Sequence, residues 1–241
     1  TAIGRNALAV NTTGDHNVAV GNGAMSTNVD GDRSVAVGYN ALATQDPASN
    51  VDMYNTAVGY SAGVAVTTGV QNTLMGAFAG DALTDADLNV AVGYQALSAD
   101  TKGSRSVAIG YSALFSQNFT TSTNSFNTAV GDSAGQQVTT GLQNTLIGAL
   151  AGDALTDADD NVAIGVVALT ADTLGSRSVA VGRGTLGTQN FTTATNTYNT
   201  AVGYDAGAAV TTGVQNTLIG GLAGDASQTG DANVAVGYLS F

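Results

Sequence analysis

The sequence predicts an all-β parallel solenoid of about fourteen coils. Three observations predict it: a pentapeptide of the type Asn89-Val90-Ala91-Val92-Gly93 recurs nearly end to end, its spacing is strict, and its apolar stretch has no polar face. Variants close on Gly4, Gly21, Gly38, Gly59, Gly76, Gly93, Gly110, Gly131, Gly148, Gly165, Gly182, Gly203, Gly220 and Gly237. The step from Gly76 to Gly93 is the usual one, and only the steps ending at Gly59, Gly131 and Gly203 are longer, by four. Those three glycines therefore head copies of a 72-residue unit. Such self-similarity marks a stacked protein in which each unit touches mainly its neighbours. Residues 1–241 therefore read as a single repeat domain. Opening in mid-motif at Thr1-Ala2-Ile3-Gly4, the chain reads as a fragment of a longer fibre.

Within a coil, we count from the motif glycine as zero. Position −1 is Val, Ile or Met throughout, and −3 is Val or Thr. β-Branched residues at period two mark a short strand. Position −2 is Ala except at Leu74, Leu146 and Leu218, so the strand is apolar on both sides and must be buried on both. One face fills its own coil; the other needs a partner. The small −2 column suits a crowded axis, and a homotrimer about that axis would cover a stripe that a single chain leaves in water. The glycine at zero suits a tight corner. Asn or Ser at −4 suits the opposite corner, where Asn tolerates left-handed geometry and can ladder from coil to coil. After the glycine, segments such as Tyr94-Gln95-Ala96-Leu97 read as a second short strand, and a polar loop closes the coil. The three longer coils place four extra residues in that loop, within 45–54, 117–126 and 189–198, and such insertions often mark a binding face.

Composition narrows the function. All eighteen acidic residues are Asp, and the formal net charge is −12. That balance argues against nucleic acid and against anionic membrane surfaces. There is no Cys, hence no disulfide or thiolate metal site, and no apolar run long enough for a membrane span.

Ser106-Val107-Ala108-Ile109-Gly110 and Ser178-Val179-Ala180-Val181-Gly182 resemble the head repeat of YadA-like trimeric autotransporter adhesins. The resemblance covers essentially the whole chain. It implies a left-handed parallel β-roll, one repeat per coil, trimeric about the long axis and binding host surfaces. Family coils are usually shorter than those of this chain, and no neck or heptad stalk is present in this sequence. Asn-Thr-Ala-Val-Gly followed by Ala-Gly and Thr-Thr-Gly, at 55–69, 127–141 and 199–213, is also similar to repeats of bacteriophage tail fibres. Either resemblance implies a trimeric attachment fibre.

Candidate chemistry is sparse. Asp85 with Asp87, and Asp157 with Asp159 and Asp160, pair carboxylates as a glycosidase would, but they lie in loops that recur with the larger unit, not in one tuned pocket. Asp85, Asp87, Asp157 and Asp159 could also offer calcium clustered oxygens, yet their segments lack the mid-loop glycine and bidentate Glu of an EF-hand. His16 is the only histidine, which rules out a one-chain histidine metal site or Ser-His-Asp triad and reads as a surface residue. Thr pairs that come once per larger unit do not make an ice-matching lattice, and no phosphate loop is present. The stronger recognition surface is the +1 column, Tyr39, Tyr60, Tyr94, Tyr111, Tyr204 and Tyr238, with ring faces and hydroxyls for sugar or protein; the alternative is that each ring shields its corner glycine and stacks on the Tyr one coil away. Phe119 and Phe191 in the insertions join it as receptor candidates; the alternative is that they, with Phe126 and Tyr198, cap the apolar edge of the roll or pack on the neighbouring subunit. The expectation is a cofactor-free, non-enzymatic trimer in a virion tail fibre, contacting a bacterial surface glycan. An autotransporter adhesin head at a cell surface and a passive shaft are the alternatives.

Overall fold

The computed structural model describes every residue from Thr1 to Phe241. The chain is an all-β parallel solenoid of fourteen turns, and no helix long and apolar enough to cross a membrane is present. It divides into two units, Thr1–Ser125 and Phe126–Phe241, with seven turns in each. The first unit stacks the motif strands Ala2–Ile3, Val18–Val20, Val35–Val37, Thr56–Val58, Thr73–Met75, Val90–Val92 and Val107–Ile109. The second stacks Thr128–Val130, Thr145–Ile147, Val162–Ile164, Val179–Val181, Thr200–Val202, Thr217–Ile219 and Val234–Val236. Pairing is parallel and in strict register: Ala19 lies against Ala36, and Leu146 against both Ala129 and Ala163. Short two-residue ladders add to this at each insertion, such as Gly103–Ser104 with Thr123–Asn124.

The strand faces are the reverse of the expected assignment. Position −2 points into the coil and is buried from Ala19 through Leu218, whereas the −1 and −3 side chains point outward. A coil this short has a thin interior, and alanine is what fits beside the buried Leu or Met at +4, as at Leu42, Leu97 and Leu114. Where −2 is Leu, the +4 residue is glycine. A Cβ on Gly80 would sit 2.8 Å from the Leu74 side chain, and one on Gly224 would sit 2.6 Å from Leu218. In the coils of Gly59, Gly131 and Gly203 both walls are small, Ala at −2 and Gly at +4, and the leucine of the following coil fills the space: a Cβ on Gly63 would lie 2.6 Å from the Leu74 side chain.

The segment after the motif glycine is a run of overlapping turns, not the expected second strand. In the coil of Gly38, Ala41 N–H bonds to Gly38 O, Ala43 N–H to Asn40 O and Gln45 N–H to Leu42 O. Residues +2 and +4 hold positive φ, 52° at Asn40 and 48° at Leu42, as the third residue of a type II turn does. The repeated reversal keeps Ala41 and Leu42 both buried, which a strand with alternating faces cannot do.

Left-handed backbone at the other corner also falls one residue from its expected place. It sits at −5, with φ of 61° at His16, 56° at Arg33, 53° at Tyr54 and 65° at Arg105. The −4 asparagine is turned inward instead. Asn89 is fully buried; its Oδ1 accepts the backbone N–H of Ser106 at 2.9 Å, and its Nδ2 donates to Gly103 O at 2.9 Å. Asn17, Asn55 and Asn72 repeat the pattern in the first unit; Asn127, Asn144, Asn161, Asn199 and Asn216 repeat it in the second. Each amide thus ties its corner to the loop and to the corner of the following coil.

Two substitutions test this architecture. A Cβ on Gly93, whose φ is 136°, would lie 2.3 Å from Gly110 O, so Gly93→Ala should cost more than about 3 kcal/mol from strain and collision. Gly221 has no atom closer than 3.5 Å to such a Cβ, and Gly221→Ala should be tolerated in the same chemical denaturation series. Asn89→Ala leaves the Ser106 N–H and the Gly103 C=O without partners, an expected loss of about 2–6 kcal/mol at about 1–3 per group. Amide exchange should place that loss in the coils of Gly93 and Gly110.

Candidate functional site

The +1 residue emerges directly after the glycine corner, so in stacked coils these side chains fall in one file. Strand spacing of about 4.8 Å is close to the thickness that stacked rings need. In the first unit the file is aromatic over five consecutive coils. Tyr39 stacks on Tyr60 with centroids 5.1 Å apart and 12° between planes, and Tyr94 stacks on Tyr111 at 5.6 Å and 13°. Between the two pairs stands Phe78, edge-on to Tyr60 at 5.3 Å and to Tyr94 at 6.0 Å. Phe78 sits at +2, not +1. Its φ of 59° gives it the left-handed backbone of its column, and its ring joins the file.

The faces of the two tyrosine pairs are therefore turned towards one another, as the stacking alternative expects, and not towards a ligand. What the ladder offers outward is ring edges and hydroxyls. Tyr39, Tyr60, Tyr94 and Tyr111 are between 44% and 53% exposed. None of their hydroxyls meets a partner within the chain. In the second unit the file is broken: its +1 positions are Asp132, Ala149, Val166, Arg183, Tyr204, Gly221 and Tyr238. Tyr204 is tied down, with the Arg183 guanidinium 5.6 Å from its ring centre and donating to its hydroxyl at 3.3 Å. Tyr54 and Tyr198, at −5 in two long coils, are likewise engaged. Tyr54 donates to Asp52 at 3.0 Å beneath Arg33, and Arg177 donates to the Tyr198 hydroxyl at 3.1 Å.

Phe119 and Phe191 do not reach the surface. They are 6% and 7% exposed, and Phe119 packs over Gly103, where a Cβ would meet its ring at 2.7 Å. Their backbone N–H groups belong to a buried polar knot that the sequence reading missed. Each long coil follows a coil whose −4 residue is serine (Ser34, Ser106, Ser178), and a glutamine further along (Gln45, Gln117, Gln189) replaces the missing asparagine amide. Gln117 Nε2 donates to Asp100 Oδ2 at 2.6 Å and to Ser106 Oγ at 3.0 Å. Asp100 Oδ1 also accepts the Gly103 and Phe119 N–H groups, each at 3.0 Å. Asp172 and Gln189 repeat the knot below Phe191. In the first long coil the residue equivalent to Phe119 is Pro47, which has no N–H, and there the carboxylate is replaced by Asn28.

The four aspartates considered for calcium are already engaged. Asp87 and Asp159 accept the Val70 and Leu142 N–H groups at 2.8 and 2.7 Å. Asp157 accepts the Thr140 hydroxyl at 2.6 Å, and Asp85 pairs with Lys102 at 3.5 Å. No three acidic or histidine side chains converge on a point, and no pocket opens on the surface.

A second surface is the outer face of the motif strands. It is two columns wide, and every member of both columns is Val, Ile, Met or Thr. Met75, Ile109, Ile147, Ile164, Val202 and Ile219 are exposed along it, and no charge interrupts it in either unit. Comparison with known families, curated proteins and solved structures finds no match to this chain, so the reading rests on these two surfaces.

The knots give a pH signature. Burial pushes the Asp100 and Asp172 carboxyls above the ordinary value, against the lowering effect of the N–H donors around them. The folded chain then holds these protons to higher pH than the unfolded chain does. Their contribution to stability is complete in acid and is lost as pH rises through the raised folded values. Asp100→Asn with Asp172→Asn should flatten that decline in denaturation midpoints measured against pH.

Proposed function

We propose that the chain is a segment of a homotrimeric attachment fibre, a left-handed β-roll whose three copies lie parallel about a common axis. The observation that supports this most strongly is the uncharged outer face of the motif strands. A seven-strand file of Val, Ile, Met and Thr is the kind of surface that soluble proteins cover with a partner. Parallel copies about one axis bring identical columns together at every level, Met75 against Met75 and Ile164 against Ile164, and a self-complementary apolar face needs no other sequence to fill it. The axis is thus lined by −1 and −3, not by the −2 column.

The role is binding without catalysis, in the setting of a bacteriophage tail fibre that contacts a bacterial surface glycan. The motif resemblance supports the fibre, and the exposed tyrosine file supports contact. Three equivalent faces would gain affinity by multivalency. A passive shaft is favoured for the second unit alone, where Arg183 holds Tyr204.

Sedimentation of the chain should give the mass of three 23.7 kDa copies. Ile109→Asp with Ile164→Asp, both on outward side chains, should yield folded single chains; a wild-type monomer at micromolar concentration would sink the trimer.

A further inference from the structure

Resting on the reading of this chain as a glycan-contacting fibre, we propose that the first unit binds an extended, uncharged polysaccharide. The chain of sugars lies along the coil axis on the hydroxyl row of Tyr39, Tyr60, Tyr94 and Tyr111. Four observations converge on this. The row is periodic, with rings 5.1 to 6.0 Å apart, and each sugar of an extended polysaccharide advances its chain by a comparable step. A ligand with its own repeat can therefore meet rung after rung without losing register. The four hydroxyls are also free, whereas those of Tyr54, Tyr198 and Tyr204 already bond to Asp52, Arg177 and Arg183. A phenol hydroxyl both donates and accepts, which matches sugar hydroxyls better than it matches a purely anionic or cationic group.

The rings are held before a ligand arrives, because Tyr39 stacks on Tyr60, Tyr94 stacks on Tyr111, and Phe78 meets Tyr60 and Tyr94 edge-on between the pairs. Binding then orders little side-chain freedom, and that is a main cost of association. Finally, the surface has the shape and charge for a strand of sugars and not for a terminal one. No pocket is available to enclose a chain end. The residues that follow the tyrosines (Asn40, Ser61, Gln95 and Ser112) are neutral hydrogen-bonding groups. The net charge of −12 repels a polyanion. Phe78 supplies an apolar edge in mid-row, where a sugar presents its C–H face.

The test applies the full chain to an array of bacterial surface polysaccharides with their oligosaccharide length series. The companion variant changes Tyr39, Tyr60, Tyr94 and Tyr111 to Phe, which keeps the stacking and removes only the hydroxyls. Binding should favour linear neutral glycans, strengthen with length until the oligosaccharide covers the row, and fall at least tenfold in the variant at unchanged thermal stability. Tyr204→Phe should change nothing. Binding that is strongest for a single terminal sugar, or that survives in the four-Phe variant, overturns the tyrosine row while leaving a glycan-binding fibre in place. Absence of binding to every glycan on the array overturns both.

Discussion

The structure depends on one repeated interaction, the buried asparagine at −4. Backbone bonds join each coil to the next along both walls, as Gly59 N–H to Val37 O and Leu42 N–H to Ala62 O, but the corner where the loop meets the strand is held by a side chain. The asparagine amide adds two bonds at the corner, both out of contact with water. One fixes the loop of its neighbour and the other fixes the neighbour's corner. Buried amides that are fully satisfied rigidify, and half-satisfied ones are costly, so this file permits one register and penalises slippage. The motif glycines stack for the same reason. With corners held this closely, the carbonyl of each following glycine occupies the space where a Cβ would stand.

The same constraint explains the long coils. Four extra residues carry the usual loop carbonyl out of reach of an asparagine at −4, so the amide is supplied from the inserted loop itself by Gln45, Gln117 or Gln189. The carboxylates Asp100 and Asp172 follow from that choice, since Phe119 and Phe191 bring N–H groups that need an acceptor. Pro47 brings none, and Asn28 suffices. A carboxyl group is therefore buried where backbone donors demand it.

Much of this was legible in the sequence. The glycine spacing shows the stack, the coil count and the 72-residue unit, because a solenoid writes its geometry into chain length. Strand position and the asparagine file were equally readable. The direction of the strand faces was not. Alternation reveals two faces but not which is inside, and alanine looks equally suited to a crowded axis or a thin coil. One signal was present, glycine at +4 wherever −2 is Leu, as Gly80 with Leu74, but the coils of Gly59, Gly131 and Gly203 blur it by placing glycine at +4 beside alanine as well. The turns after each glycine were misread because Tyr-x-Ala-Leu has a strand's composition; only backbone geometry reveals positive φ at Asn40 and Leu42. Phe119 and Phe191 were misplaced because inserted aromatics look like surface features unless the loop folds back over a glycine. The stacking of the +1 tyrosines was readable as one of two alternatives, and the coil-to-coil distance decides between them.

The serine–glutamine substitution at each insertion bears on how such a chain can change length. Every long turn is entered from a corner that carries serine and left through one that carries asparagine, and both junction types are contained in one 72-residue block. Unequal recombination that duplicates or drops a whole block recreates every junction with matched partners. A crossover that joined an asparagine turn to a long one would strand an amide in the interior. Length in this protein is therefore heritable in quanta, and the quantum is the block.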